Sequence, residues 1–511
     1  MNRDLTTAQQ DYAIYLPAIS GFYSTYIGKQ QYGEYVPASR MPAGIPEMEM
    51  LNFFNPHKGL YQYQWGLYSA GHANLKLDKN KHDPKEAMIR ERGAHTTLVA
   101  DSGGFQIAKG VWEGEWANPN CPRAEKYRSQ VLKWLCEISD YSMVLDIPTF
   151  AYLDPEASAK NGIRSYDDAV NATIYNHEYF IKNSYNDAKF LNVLQGNNHA
   201  DSDKWYEIMK QYSDPKKYDK FFRGWAFGGA NKADLHLSLK RIVTLIHDGL
   251  LQTGMHDWMH FLGTGQIEWA PVLTAIQRAV RRHHNPNFTI SFDSASPFLS
   301  TANGHIYTHS VTQAHERWSL RTDVAADNKK YASDTRAYRD AVISDGINQF
   351  FEDSPITEKL KINDVCVYAP GELNKIGKEG KTSWDSFSYA LLMGHNVWHH
   401  INGIQEANRM ADAGIFASTL ESTLIHDRSN IQTIIDKIFA EPDYDNRMSL
   451  IDHYSKFWSK LPGSSGMGGS EKKVKNANTN FFNHFEEIDN GNSVDDSDFD
   501  QQRLDELEES V

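Results

Sequence analysis

Cysteine is nearly absent from this 511-residue chain: Cys121, Cys136 and Cys366 are the whole complement. Three thiols cannot build a disulfide framework, so a reducing cytoplasm is the expected environment. Long apolar runs are missing too. No stretch of 18 apolar residues occurs, which excludes an ordinary membrane-spanning helix. The opening MNRDLTTAQQ lacks the basic-then-apolar pattern of a secretory leader. Basic residues are in deficit, 52 Lys+Arg against 66 Asp+Glu, for a net charge of −14. Residues 486–511 alone carry −10 (eleven acids against Arg503), which leaves only −4 for the preceding 485 residues. A nucleic-acid partner is therefore not excluded by charge.

Aromatics are plentiful, at 12% with 26 Tyr and 12 Trp. Tyr15, Tyr23, Tyr26, Tyr32, Tyr35, Tyr61, Tyr63 and Tyr68 crowd the N-terminal part. They suit either stacking on a nucleic acid or ordinary packing. Along the chain one pattern recurs, a short apolar run followed by a polar or glycine-rich turn. It ends at Asp101, Asp146, Gln195, Gly228, Gly263 and Asp293, at intervals of 30 to 49 residues. Each interval has room for a strand and one or two helices. Tyr127, Val131, Trp134, Leu135 and Ile138 fall on one helical face, as do Leu235, Leu239, Ile242, Val243 and Ile246. A third helix is expected over 266–282. With two earlier candidate strands, around Ile14–Ile19 and Leu51–Phe54, the count reaches eight and the expected fold is an α/β (β/α)8 barrel. In that fold the strand ends share one rim, which here gathers three carboxylates, an amide and several glycines. The tail declares itself by composition: Pro462–Ser470 is a Gly/Ser linker, then come Lys472, Lys473 and Lys475 and the acidic run.

Two segments carry the chemistry. Asp101-Ser102-Gly103-Gly104-Phe105-Gln106 sets a carboxylate at a strand end before glycines that let a planar ligand approach, then an aromatic. The same residues also suit a plain tight turn. Ser291-Phe292-Asp293-Ser294 places a second acid at a strand end, where Asp is also a common helix N-cap. Together on one rim, the two acids can divide the roles of nucleophile and acid/base that displacement at a sugar carbon requires.

These motifs, in order with Val144–Pro148, Val193-Leu194-Gln195-Gly196, Ala226-Phe227-Gly228-Gly229, Leu262-Gly263-Thr264-Gly265 and Asn303-Gly304-His305, resemble the tRNA-guanine transglycosylase family across residues 95–305, and more weakly to 415. The resemblance implies exchange of guanine for a 7-deazaguanine through a covalent intermediate, with Asp293 as nucleophile and Asp101 as general acid/base. It implies a base pocket of Ser102, Phe105, Asp146, Gln195, Gly228, Gly229 and Leu262. Phe105 and Leu262 would sandwich the ring, while Asp146 and Gln195 bind its edge. Asp234 falls near a family acid that recognises the ring substituent, so both a cyano and an aminomethyl group stay open, with 7-cyano-7-deazaguanine the expected base. The target nucleotide would have to leave its stack.

Two departures bear on cofactor and partner. Of the family's zinc ligands only Cys366 and His395 match, with Asp364 a further candidate, so the zinc site is expected to be degenerate. The chemistry itself needs no cofactor. Two arginines that the family uses to place the anticodon loop are replaced by Leu299 and Ala302. The expected partner is therefore DNA rather than tRNA, as in bacterial and phage relatives whose modified DNA evades restriction. A tRNA-modifying enzyme and a catalytically idle nucleic-acid-binding paralogue are the alternatives. No membrane partner is expected. The basic cluster Arg278, Arg281, Arg282, His283 and His284 ends a helix on the face away from the strand ends and is left out of the site. The expected division is 1–90 with the first barrel strands, 91–305 as barrel core, 306–460 as a helical, zinc-like region and 461–511 as linker and acidic tail.

Overall fold

Strands buried on both faces read as continuous apolar runs and pair in parallel, because the helices between them carry the chain back to the starting edge. The computed structural model describes residues 3–31, 33, 35–73, 75, 86–345, 350–368, 382–422 and 429–461. Its central sheet contains β1 (Ile14–Pro17), β2 (Trp65–Ser69), β3 (Thr97–Asp101), β4 (Tyr141–Met143), β5 (Phe190–Leu194), β6 (Gly224–Phe227), β7 (Trp258–Phe261) and β8 (Thr289–Ser294). The order is β1-β8-β7-β6-β5-β4-β3-β2. The ring joins where Ala18 bridges Leu67 in parallel and Ile19 N donates to Leu67 O at 2.9 Å. This is the (β/α)8 barrel, with additions at both ends.

The second strand differs from the expected one. Leu51 closes a 3-10 turn, Met48–Leu51, and Phe53 and Phe54 are buried as an edge-to-face ring pair instead of pairing in a sheet. Asn52 accepts from Phe54 N and donates to Glu49, holding the segment in turns. The strand is Trp65–Ser69, and its Gly66 makes the arrangement possible: a Cβ there would lie 2.8 Å from the Phe54 ring.

Helices follow the strands, the longer ones such as Pro122–Ile138, Leu235–His247 and Trp269–His283 turning an apolar face to the sheet. They include α1 (Gly21–Gln31), α2 (Gly104–Ala108), α3 (Pro122–Ile138), α4 (Tyr166–Asn183), α5 (His199–Met209), α6 (Gly229–Ala233), α7 (Leu235–His247), α8 (Trp269–His283) and α9 (Ser296–Ala302). The helix α8 begins three residues later than expected, and Glu268, just before it, accepts from Trp318 N and Arg317 Nε. After α9 the chain leaves the ring as a hairpin, β9 (His305–Val311) with β10 (Ser319–Val324). It returns as the 27-residue α10 (Ser386–Asp412), which packs on α8, α1 and β1 and fills the eighth outer position. Next, α11 (Ile431–Ala440) covers α8, and α12 (Tyr444–His453) covers α7.

The N-terminal tyrosines are not a stacking surface. Tyr15, Tyr23, Tyr26, Tyr61, Tyr63 and Tyr68 are all buried, and Tyr35 packs partly buried on Tyr26. Tyr32 lies outside the described residues. The basic cluster is consumed internally: Arg278 pairs with Asp412, Arg282 and His283 with Asp436, and Arg281 donates to Phe288 O. Among the described residues no helix is long and apolar enough to cross a membrane. Residues 462–511 of the expected linker and acidic tail lie outside them.

Candidate active site

Asp293 is the penultimate residue of β8, opposite Leu16 of β1, and is 8% exposed. Its Oδ1 accepts from His260 Nε2 at 3.1 Å and from Gly263 N at 2.6 Å. Both donors come from β7 and the turn after it. Asp101 ends β3, and its Oδ2 accepts from Ser69 Oγ at 2.7 Å and Gly103 N at 3.3 Å. Burial pushes the Asp101 carboxyl above its ordinary value and the nearby charge of Asp293 adds to this, while the Ser69 hydrogen bond works against it. A carboxyl that holds its proton longer than usual suits an acid/base role.

Asp146 and Gln195 form the adjoining edge. Gln195 follows the last residue of β5, and its Nε2 donates to Asp146 Oδ2 at 2.8 Å. Both side chains are 5% exposed. Gln195 Oε1 is buried and receives no hydrogen bond from the described residues. Burial pushes the Asp146 carboxyl up to about 7, with the charge of Asp101 contributing after the opposing Gln195 hydrogen bond. Gly229 lies beside this edge with φ +49°, and a Cβ there would meet Gly196 O at 2.5 Å, so only glycine fits. Gly228 sits equally close: a Cβ would stand 2.8 Å from Gln195 Nε2.

Phe105, on α2, and Leu262, after β7, are both partly exposed. The Phe105 ring lies 6.3 Å from that of Phe150. Ser102 is buried and donates to Val144 O at 3.2 Å, so it ties β3 to the end of β4. Asp234 caps α7: Oδ1 accepts from His236 N, and Oδ2 sits 3.0 Å from His199 Nε2.

Three residues without an expected role join the site. His260 is wholly buried on β7 and binds Asp293 directly. Ser69 ends the strand that the sequence concealed and binds Asp101. Lys232, on α6, is buried near Asp293; burial pulls its ammonium down to about 7 while the Asp293 charge opposes that shift. A histidine inside the apolar run Trp-Met-His-Phe was the one sequence signal, since a buried ring needs polar partners.

The residues matched to a zinc site do not fit one. Cys366 Sγ donates to Ala326 O, and Asp364 accepts from Lys361 N. Both ring nitrogens of His395 are engaged, Nδ1 with Ser354 Oγ and Nε2 with Tyr307 O. Among the described residues no three His, Cys, Asp or Glu side chains are grouped to hold a metal. Cys366 and His395 make these hydrogen bonds in the hairpin–α10 region. Leu299 and Ala302 are buried in α9, which packs on α10.

The arrangement offers a carboxylate held by two donors, two buried carboxyls with raised pKa values, and a hydrogen-bonding edge. That combination is suited to displacement at a carbon bearing a flat heterocycle. Compared with known proteins, the chain matches no family model and no curated protein.

Proposed function

We propose that this protein is a DNA-guanine transglycosylase that exchanges guanine in DNA for a 7-deazaguanine through a covalent ester on Asp293. The observation that carries the reading is the Gln195–Asp146 edge. Gln195 Oε1 is a buried acceptor awaiting a donor, and Asp146 beside it presents a second acceptor when ionised. The Watson–Crick edge of guanine supplies adjacent N1–H and N2–H donors, and a buried acceptor left unmade costs about 1–3 kcal/mol.

In the first half-reaction a carboxylate oxygen of Asp293 attacks C1′ of the flipped-out nucleotide. The C1′–N9 bond breaks, its electron pair stays on N9, and the Asp101 carboxyl gives N9 a proton, releasing guanine. In the second half, Asp101, now ionised, takes the N9 proton of the incoming 7-deazaguanine. N9 attacks C1′, and the ester opens to return the Asp293 carboxylate. The phosphodiester backbone is untouched, and no oxidant or cofactor is consumed.

Two further observations support the choice of polymer and base. Leu299 and Ala302 present no cation where an anticodon loop would be gripped. Asp234 spends its carboxylate on His199 and the α7 cap, which favours a small neutral substituent such as a nitrile over an aminomethyl group.

The test is incorporation of radiolabelled guanine into duplex DNA and into bulk tRNA, with Asp293→Ala as control. Label in DNA alone, lost in the control, is the expected result. Label in tRNA alone would return the protein to RNA modification, and no label in either would overturn the assignment.

A further inference from the structure

The two oxygens of the Asp293 carboxylate are not equivalent. Oδ1 takes both hydrogen bonds, from His260 Nε2 and Gly263 N. Oδ2 receives none from the described residues. His260 is in turn fixed from its other side, with Nδ1 2.9 Å from Ser291 Oγ. Ser291 Oγ also accepts from Trp258 Nε1 at 2.8 Å. An indole N–H can only donate, so it occupies a lone pair of Ser291 and leaves the hydroxyl proton for His260 Nδ1. With Nδ1 accepting, the proton of the neutral ring sits on Nε2 and points at Asp293. A charged ring also donates from Nε2. Only the Nδ1–H tautomer would set two acceptors against each other at 3.1 Å, and the Trp258–Ser291 pair disfavours it.

We propose that His260 is the positioning residue of the nucleophile, holding Asp293 Oδ1 through Nε2–H so that Oδ2 is the oxygen that attacks C1′. This rests on the transglycosylase reading and names the atom that carries it. When Oδ2 forms the ester, Oδ1 becomes the carbonyl oxygen and keeps its two donors. When the ester breaks, the pair returning to the carboxylate is stabilised by the same two donors, which cost nothing to reorganise. Trp258, Ser291 and His260 come from neighbouring strands β7 and β8, so the relay is built on the rigid sheet rather than on a loop.

The experiment compares wild type, His260→Ala, His260→Gln, Ser291→Ala and Asp293→Asn in guanine exchange on duplex DNA. kcat is separated from the KM for free guanine, and covalent protein–DNA adduct is counted after denaturation. Expected for His260→Ala is a fall in kcat of about 100-fold with KM held within about threefold, the pattern of a donor needed mainly at the transition state. His260→Gln, whose amide N–H reaches toward Oδ1, should recover part of that loss, which mere core repair would not explain. Ser291→Ala should lose less than His260→Ala, in kcat and not in KM. An unchanged kcat in a folded His260→Ala protein overturns this inference and leaves the function standing, provided Asp293→Asn is dead. Full exchange by Asp293→Asn, or none by wild type on either DNA or tRNA, overturns the function and this inference with it.

Discussion

At the residue scale the base pocket turns on Asp146, whose carboxyl burial pushes up to about 7. Only its ionised form offers two acceptors, so the KM for guanine should fall as pH rises from about 6 to about 8, and Asp146→Asn should abolish that slope. The effect on stability has the opposite sign. A folded-state pKa above the unfolded value of 3.8 gives a contribution complete below that value and lost as pH rises through about 7. Asp146→Asn should therefore raise the melting temperature at pH 8, with a gain of up to about 4 kcal/mol. Gln195→Leu removes the waiting acceptor and should raise the KM by the equivalent of about 1–3 kcal/mol while kcat changes little. Asp101, Asp146, Gln195 and Asp293 were legible in the sequence because each stands at or just after a strand end, where the barrel gathers side chains regardless of their spacing. His260 was not, because its partner lies 33 residues away on the next strand and no local pattern links them.

At the scale of the elements, the recurring apolar runs end within two residues of the C-terminal ends of β3 and β5 to β8. The pattern failed at β2. The run Leu-Asn-Phe-Phe is more apolar than Trp-Gly-Leu-Tyr-Ser, yet the first is a turn whose rings plug the core and the second is the strand. What decides is the space over Gly66, a tertiary fact. Gly66→Ala should force Phe54 or β2 aside and cost about 1–3 kcal/mol in denaturant unfolding. Since β2 also carries Ser69, the variant should lose exchange activity as well. The helix α10 is tied to the site by His400, which stacks on Tyr15 at 4.6 Å and donates from Nε2 to Gly265 O at 2.7 Å. That contact holds the turn whose Gly263 N–H binds Asp293.

On the scale of the whole molecule, the additions close the barrel rather than hang from it. Arg40 makes two hydrogen bonds to the Asp385 carboxylate across 345 residues of sequence, at 2.6 and 2.9 Å, and Asp385 also caps α10. Both side chains are largely buried, so Asp385→Ala leaves an uncompensated Arg40 and an open helix end. It should cost about 3 kcal/mol or more, read as one cooperative transition shifted to lower denaturant. Such a pair has no sequence signature, and the described apolar residues of 306–460 belong to the same buried cluster as those of the barrel.

The central claim, a DNA sugar carried on Asp293, is tested most directly by peptide mapping of the denatured protein after reaction with duplex DNA oligonucleotides and, in parallel, with tRNA. The account requires a DNA adduct on the peptide containing Asp293, absent from Asp293→Asn and chased away by excess free 7-deazaguanine. An adduct on another residue, an adduct with tRNA alone, or no adduct while exchange proceeds would contradict it.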